Sequence, residues 1–86
     1  MLSVFEVHLA PGSDPDTLLT PEIVQETQAQ IMTPAEANAV GFAGIPADAP
    51  SNIRLIAVAK RDAAWIHRRL ESNSAVAGFT VHEIDV

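Results

Sequence analysis

The sequence predicts one small α+β domain, because its apolar residues alternate with period two near both ends of the chain and recur with helical spacing in between. The chain has 86 residues, of which 48% are hydrophobic, and a formal net charge of -6. This length fits a single domain over residues 1–86. A domain of this size buries only about 60–65% of the surface that its unfolded chain exposes, so we expect a lone copy to be marginally stable and to self-associate.

The first predicted strand covers residues 2–9, where side chains alternate between two faces. One face carries Phe5, Val7 and Leu9. The other face carries Val4, Glu6 and His8. Residues 10–16 contain two prolines and a glycine, which predict a loop after this strand.

Two threonines that are each followed by proline predict helix starts. Thr20 supplies a hydroxyl cap, and the helix that it opens is expected to run through about Met32. Thr33 repeats this chemistry, with Glu36 three residues later as in a capping box, so that either a second short helix begins or the first one kinks. The segment 39–45 contains two glycines and fits both a helix end and a weak edge strand.

The second half of the chain predicts a strand, a helix and a strand. Residues 53–59 are apolar on both faces apart from Arg54, which predicts a central strand. Asp62 can cap the next helix, which is expected to end near Ser72. Its core positions are Ala63, Ile66 and Leu70. The last strand is expected over 77–86, with alternating faces. One face carries Phe79 and Val81, and the other carries Thr80, His82 and Ile84.

This order of elements is the split βαβ pattern of a ferredoxin-like sandwich with an antiparallel sheet. In that arrangement the first and third strands are central, and the last strand pairs with the first. Right-handed crossovers place both helices on one face of the sheet. The other face is then left open and needs a cover.

A resemblance to a known family rests on the length of the chain, on the order of its elements and on the closing runs 56–62 and 75–84. The chain resembles the dimeric α+β-barrel superfamily, which includes muconolactone isomerases, antibiotic-biosynthesis monooxygenases and YCII-related proteins. The resemblance covers roughly the last third of the chain in detail. It implies that two copies pack their open sheet faces together and enclose a cavity, and it supplies no catalytic residue.

The strongest candidate for chemistry is a group of polar residues on the face that the helices leave open. Glu6 and His8 share that face of the first strand, and Thr80 and His82 share it on the last strand, so antiparallel pairing brings them side by side. An imidazole oriented by a carboxylate is a common general base. We therefore hypothesise that His8 or His82, oriented by Glu6 or Glu83, acts on a small molecule. The alternative is a hydrated face or dimer seam without chemistry.

The helix over 62–72 carries a second candidate site. Trp65 lies at the flank of its apolar stripe, where the indole ring can meet Arg68 and Arg69 three and four residues further on. Together with Arg61 these residues predict a docking surface for an acidic partner, the acidic half of another copy included. The alternative is a tryptophan that folds over the core edge beside solvated arginines.

Charge and composition exclude several function classes. Residues 1–50 hold seven acids and no lysine or arginine, whereas residues 51–86 hold all five bases against four acids. The acidic balance argues against nucleic acid. The absence of cysteine excludes disulfides, a thiolate nucleophile and zinc sites built on sulfur. The three histidines lack the local spacing of a metal site, and the glycines lack a nucleotide-binding pattern, so no metal or cofactor is expected.

Apolar runs are too short to cross a membrane, and the first residues lack the basic region of a secretory signal. We therefore expect a cytoplasmic protein without a membrane partner. The leading functional interpretation is a self-associating, dimeric module that binds a small molecule or a protein without catalysis. The alternative is a cofactor-independent isomerase or monooxygenase-like enzyme that uses a cavity histidine. A third interpretation is an accessory subunit that docks through its basic helix.

Overall fold

A computed structural model describes residues 1–42, 46 and 48–85 of the chain. Its main elements are strand β1 (Leu2–Leu9), helix α1 (Pro21–Thr27), strand β2 (Gln30–Met32), helix α2 (Pro34–Ala39), strand β3 (Ile53–Ala59), helix α3 (Ala63–Glu71) and strand β4 (Val76–Ile84). Two short 3-10 turns cover Pro15–Thr17 and Lys60–Asp62. Within the described residues, no helix has both the length and the apolar character that a membrane crossing requires.

The four strands form one antiparallel sheet in the order β2-β3-β1-β4. The prediction of an α+β fold with β1 and β3 in the centre of an antiparallel sheet is confirmed. This order, with β4 beside β1, is compatible with a ferredoxin-like α+β sandwich. The β1 bounds agree with the sequence prediction, and β4 begins one residue earlier than predicted and ends at Ile84.

Helices α1 and α3 pack on the same face of the sheet, which we call the first face. The buried residues of this core include Phe5, Val7, Leu9, Ile23, Ile56, Ile66 and Leu70. Fully burying one such large apolar side chain contributes about 1.5–3 kcal/mol. The alternation in β1 therefore predicted the core side of that strand correctly. In β4, Phe79 and Val81 pack against this core as predicted, whereas Ile84 packs on the opposite face.

The second strand lies where the sequence predicted a helix. Thr27 ends α1 because its hydroxyl donates to the carbonyl of Ile23 at 2.6 Å and accepts from the backbone N–H of Ala29 at 3.3 Å. Gln28 adopts the left-handed region with φ 55°, which helices use to stop. The residues that follow form β2 and pair with β3, with Ile31 opposite Ile56. The predicted helix through Met32 was therefore wrong after Thr27.

Helix α2 shows which of the two alternatives at Thr33 is correct. The Thr33 hydroxyl accepts from the backbone N–H of Glu36 at 3.2 Å, and the Glu36 carboxylate accepts from the backbone N–H of Thr33 at 3.2 Å. This reciprocal capping box begins a second, separate helix. Ala39 ends that helix and Gly41 turns with φ 95°, so the possible strand over 39–45 is not formed at its start. Residues 43–45 lie outside the described residues.

Helix α2 packs on the face opposite α1 and α3, which we call the second face. Its core consists of Val4, Met32, Ala37, Leu55 and Ala57, with Phe42 and Ile84 packed against it. The sequence predicted that this face is left open. That prediction was wrong for the half of the face that β2 and β3 form, because α2 covers it. The β1–β4 half keeps its polar residues outside this core.

Helix α3 begins without the predicted cap. Asp62 precedes it but makes no side-chain hydrogen bond to the helix. The 3-10 turn Lys60–Asp62 leads directly into the first turn instead. Asp62 lies 3.6 Å from Arg61, measured between a carboxylate oxygen and Nε. The predicted inward positions Ile66 and Leu70 are both buried.

Candidate functional site

The pairing of β1 with β4 places the predicted polar residues together on the second face. Glu6 lies opposite Thr80, Val4 opposite His82, and His8 opposite Gly78. Directly paired residues of neighbouring strands share a face, and so do the residues two positions further along each strand. We call the group formed by Glu6, His8, Thr80 and His82 the polar patch.

The Glu6 carboxylate joins both histidines of the polar patch. Its Oε2 lies 2.7 Å from Nε2 of His8, which is two residues further along the same strand. Its Oε1 lies 3.1 Å from Nε2 of His82, which reaches it diagonally from the neighbouring strand. A diagonal pair on antiparallel strands is within reach of long side chains. One carboxylate therefore holds two imidazoles that are 74 positions apart in the sequence.

The hydrogen bonds fix the protonation pattern of this group. The bond from His8 lowers the pKa of Glu6 below its ordinary value of 4.5; partial burial opposes this effect, and the bond from His82 adds to it. An ionised carboxylate only accepts hydrogen bonds. Each Nε2 therefore carries a proton and donates it to Glu6. In a neutral imidazole of this tautomer, Nδ1 is an acceptor and a base.

The polar patch lies at the surface. The side chains of His8 and His82 are 43% and 49% exposed, whereas that of Glu6 is 22% exposed. Both rings are thus accessible to a ligand, and the carboxylate between them is the most protected group. Such a patch offers one carboxylate flanked by two imidazole rings.

Glu83 is not part of this group. It lies on the first-face side of β4, where both carboxylate oxygens accept from the hydroxyl of the buried Ser3 at 3.1 and 3.2 Å. The prediction that Glu83 could orient a histidine is wrong, because adjacent residues of a strand point to opposite faces. Its real role is to satisfy a buried hydroxyl, which costs free energy when it is left without a partner.

The third histidine is remote from the polar patch. His67 on α3 lies 3.0 Å from Glu71, measured between Nδ1 and Oε1. Its ring packs edge-on against Phe79 with a centroid distance of 5.0 Å. In the part of the chain that the structure describes, no group of three or more His, Cys, Asp or Glu residues is arranged to hold a metal ion.

The predicted docking surface on α3 is exposed, but its members do not stack. Trp65 is 38% exposed at the flank of the apolar stripe, as predicted. Within residues 1–42, 46 and 48–85, its ring forms no contact with a guanidinium, and neither Arg68 nor Arg69 forms an ion pair. The Arg61 side chain is 85% exposed beside Asp62. The surface is therefore a set of separate basic groups beside a half-exposed indole.

A groove between α3 and β4 was not found from the sequence. Its volume is about 460 Å³. Its lining includes the apolar residues Phe5, Ala63 and Val81, with Arg68 and Glu83 among the charged ones. The sequence feature that could have indicated this groove is Glu83, a charged residue that follows Phe79 and Val81 on the apolar side of β4.

The fold and the polar patch define a class of protein: a small α+β domain with a four-stranded antiparallel sheet and a histidine–glutamate–histidine group on one sheet face. No family model matches the chain, and neither a curated protein nor a solved structure matches it.

Proposed function

We propose that this chain is a self-associating module that binds a small polar molecule at its polar patch without catalysis. The observation that carries the proposal is the hydrogen-bonded group of one carboxylate and two half-exposed imidazoles. These groups offer donors and acceptors to a ligand from a rigid strand pair. Catalysis requires a site that also surrounds the reacting atoms and excludes water, and side chains this exposed do not provide one in a single copy.

Self-association is supported by size and by charge. A domain of 86 residues has little core of its own, and a second copy adds buried surface. The first half of the chain holds seven acids and no lysine or arginine, and all five bases lie in the second half, a charge layout that favours contacts between copies. The strand order also supports the proposed kinship with dimeric α+β-barrel domains, although α2 covers half of the face that such a barrel needs open. A cytoplasmic location belongs to the same proposal, since a domain without cysteine relies on no disulfide.

Light scattering across a concentration series, at low and at high salt, tests the self-association. We expect a dimer whose population rises with concentration. A monomer at every concentration and salt would remove self-association from the proposal and with it the kinship to dimeric barrels.

A fragment library of small polar molecules, screened by the imidazole NMR signals, tests the binding site. We expect hits to shift the signals of His8 and His82. His8→Ala and His82→Ala should weaken those hits, whereas His67→Ala, which removes the histidine on α3, should leave them unchanged. Hits that depend on His67, or that are indifferent to both patch histidines, would contradict the proposal.

The second candidate function is a cofactor-independent enzyme of the isomerase or monooxygenase-like kind. The observation that favours it is the tautomer of the two imidazole rings of the polar patch. With Nε2 donating to Glu6, each Nδ1 is available as a general base, a role that contributes about 10²–10⁴-fold to a rate. For any compound that the protein converts, His8→Ala or His82→Ala should then lower turnover by that order. Unchanged turnover in both variants would exclude this function.

A third candidate function is docking on a larger acidic protein through α3. It is favoured by the exposed Trp65 and by Arg68 and Arg69, which form no ion pair within the described residues. Arg61 extends this surface toward the start of the helix. Unpaired guanidinium groups beside an aromatic ring are typical of energetically important interface residues.

A further inference from the structure

The two edges of the sheet differ in how they are protected. Strand β2 is three residues long, is followed closely by Pro34 and continues into α2. Strand β4 is nine residues long and, within the described residues, pairs only with β1. Natural proteins protect edge strands by keeping them short or by adding proline, lysine, bulges or a covering element. The β4 sequence has no proline and no lysine or arginine, and Glu83 is its only acid. Its pairing with β1 is irregular at Ala77, and the stretch from Gly78 to Ile84 is regular.

We propose that β4 pairs antiparallel with β4 of a second copy about a two-fold axis at Thr80, so that two four-stranded sheets become one sheet of eight strands. An edge strand presents a row of unpaired backbone N–H and C=O groups, and an identical strand satisfies them. This inference rests on the proposed self-association and names the surface that carries it. It also explains how two copies associate although α2 occupies part of the second face.

The register follows from self-complementarity. Thr80 is the middle residue of Val76–Ile84, so a two-fold axis there pairs the regular stretch Gly78–His82 with itself, and the irregularity at Ala77 limits regular pairing to that stretch. In this register Val81 lies opposite Phe79 of the second copy, which is a favourable β-branched and aromatic pair that occurs twice. Glu83 lies opposite Ala77, so no two carboxylates face each other.

The same register completes the polar patch with a residue from the second copy. His82 of one copy lies opposite Gly78 of the other, and Gly78 is itself opposite His8. Apart from Gly78 itself and its two chain neighbours, no heavy atom of the described chain lies within 4 Å of the position that a Cβ on Gly78 would occupy. The space above Gly78 is thus open to the imidazole of the second copy. Each polar patch then keeps its own Glu6, His8 and His82 and gains His82 of the second copy.

A single engineered thiol tests the pairing and its register. The chain has no cysteine, so Thr80→Cys supplies one thiol per copy. Directly opposite residues of antiparallel strands have Cα atoms about 4.5–5.5 Å apart, which is within disulfide range. Under mild oxidation we expect this variant to form a covalent dimer rapidly. A cysteine variant that stays monomeric under oxidation while the unmodified protein is dimeric would overturn the inference.

Two matched cysteine variants test whether the crosslinking of Thr80→Cys is specific. Ala77→Cys lies on the same strand, but the register places its thiol about 20 Å from its copy, that is, six residues at about 3.3 Å each. Gln30→Cys is equally exposed, on the second face of the opposite edge strand β2. Both should crosslink at least tenfold more slowly than Thr80→Cys. Equal rates would show random collision or another interface, and would likewise overturn the inference.

A charge variant tests the non-covalent dimer. Thr80→Lys places two ammonium groups opposite each other on the two-fold axis, whereas in the monomer the side chain is exposed beside Glu6. We expect the dimer dissociation constant to rise by about tenfold, because like charges across an interface repel. Gln30→Lys is the control and should leave the constant unchanged. Far-UV circular dichroism checks that both variants keep the fold.

The outcomes separate this inference from the proposed function. A wild-type dimer that Thr80→Lys does not weaken, and that Thr80→Cys does not crosslink, overturns the β4 pairing alone. A wild-type monomer at every concentration overturns the self-association and the pairing together.

Discussion

The two faces of the sheet differ in their residues and in what covers them, although the same alternating strands form both. The first face is apolar along β1 and lies under two helices, with Phe5 fully buried at its centre. The second face is divided: one half lies under α2, and the other half carries Glu6, His8 and His82 at the surface. The first face thus holds most of the buried apolar core, and half of the second face holds the exposed polar patch. Variants on each face test this division.

The largest effect is expected from Phe5→Ala on the first face. Phe5 is fully buried, and its ring lies 5.9 Å from that of Phe79 between centroids. Removing a buried aromatic side chain leaves a cavity and costs about 3–5 kcal/mol. Urea denaturation should show this loss in the free energy of unfolding. Thr80→Ala, on the exposed half of the second face, should change it by less than about 0.5 kcal/mol. Similar losses in both variants would contradict the division between the faces.

A smaller effect is expected from Thr33→Ala, which removes the cap of α2. The variant loses the hydroxyl that accepts from the backbone N–H of Glu36, and such losses cost about 1 kcal/mol. Helix α2 covers the apolar half of the second face. The rate of amide hydrogen exchange should therefore increase at Leu55 and Ala57, and it should stay unchanged in the core of the first face. Thr20→Ala, which removes the corresponding cap of α1, is the matched control on the first face. An unchanged free energy of unfolding in Thr33→Ala would show that α2 does not depend on its capping box.

The pH dependence of stability tests the polar patch. The pKa of Glu6 is lowered in the folded protein, chiefly by the hydrogen bond from His8. The ionised carboxylate therefore stabilises the fold above pH 4.5, its ordinary pKa, and this contribution is lost as the pH falls through the lower folded value. Glu6→Gln should flatten the acid limb of the stability profile measured by urea denaturation.

Two control variants accompany the pH measurement. Glu26→Gln removes an exposed charge of α1 and controls for the change in net charge. His8→Ala removes the main cause of the lowered Glu6 pKa and should reduce the slope of the acid limb in the same direction as Glu6→Gln. A Glu6→Gln profile that runs parallel to that of the wild type would contradict the role of the hydrogen bonds.

The smallest effect on stability is expected from the double change of Arg68 and Arg69 to glutamate. Both side chains are exposed, so the fold should persist with a loss below about 1 kcal/mol, which arises from acids at the carboxyl end of α3. A complex with an acidic partner, in contrast, should weaken strongly and should be sensitive to salt. Pull-down or calorimetry with any identified partner measures this. A complex that is indifferent to salt and to the double change would exclude α3 as the docking surface.

The sequence predicted the elements whose signals are local. The alternation in β1 gave its bounds and both its faces, and the cap residues Thr20 and Thr33 mark real helix starts. It failed at β2, because a three-residue strand has no periodicity of its own and forms only through pairing with β3. It also failed at Asp62, where a 3-10 turn satisfies the start of α3 without the predicted cap.

The candidate site was predicted only in part. Alternation placed Glu6 and His8 on one face and His82 on the matching face of β4, so the right residues were grouped. Alternation also separates Glu83 from His82, because adjacent residues of a strand point to opposite faces, so the hypothesis that Glu83 orients a histidine conflicts with the strand geometry. The structure assigns Glu83 to the buried hydroxyl of Ser3 instead.

The sequence alone predicted the α+β class, the inward faces of β1 and β4 and the caps of α1 and α2, because these depend on interactions within a few residues of each other. The tertiary structure decided where β2 lies, which half of the second face α2 covers, and that one carboxylate holds two histidines. The Glu6–His82 bond joins residues 76 positions apart, and its existence depends on the register between β1 and β4. A register is set by the packing of the whole core, since a slip of one residue would turn every side chain of β4 to the other face.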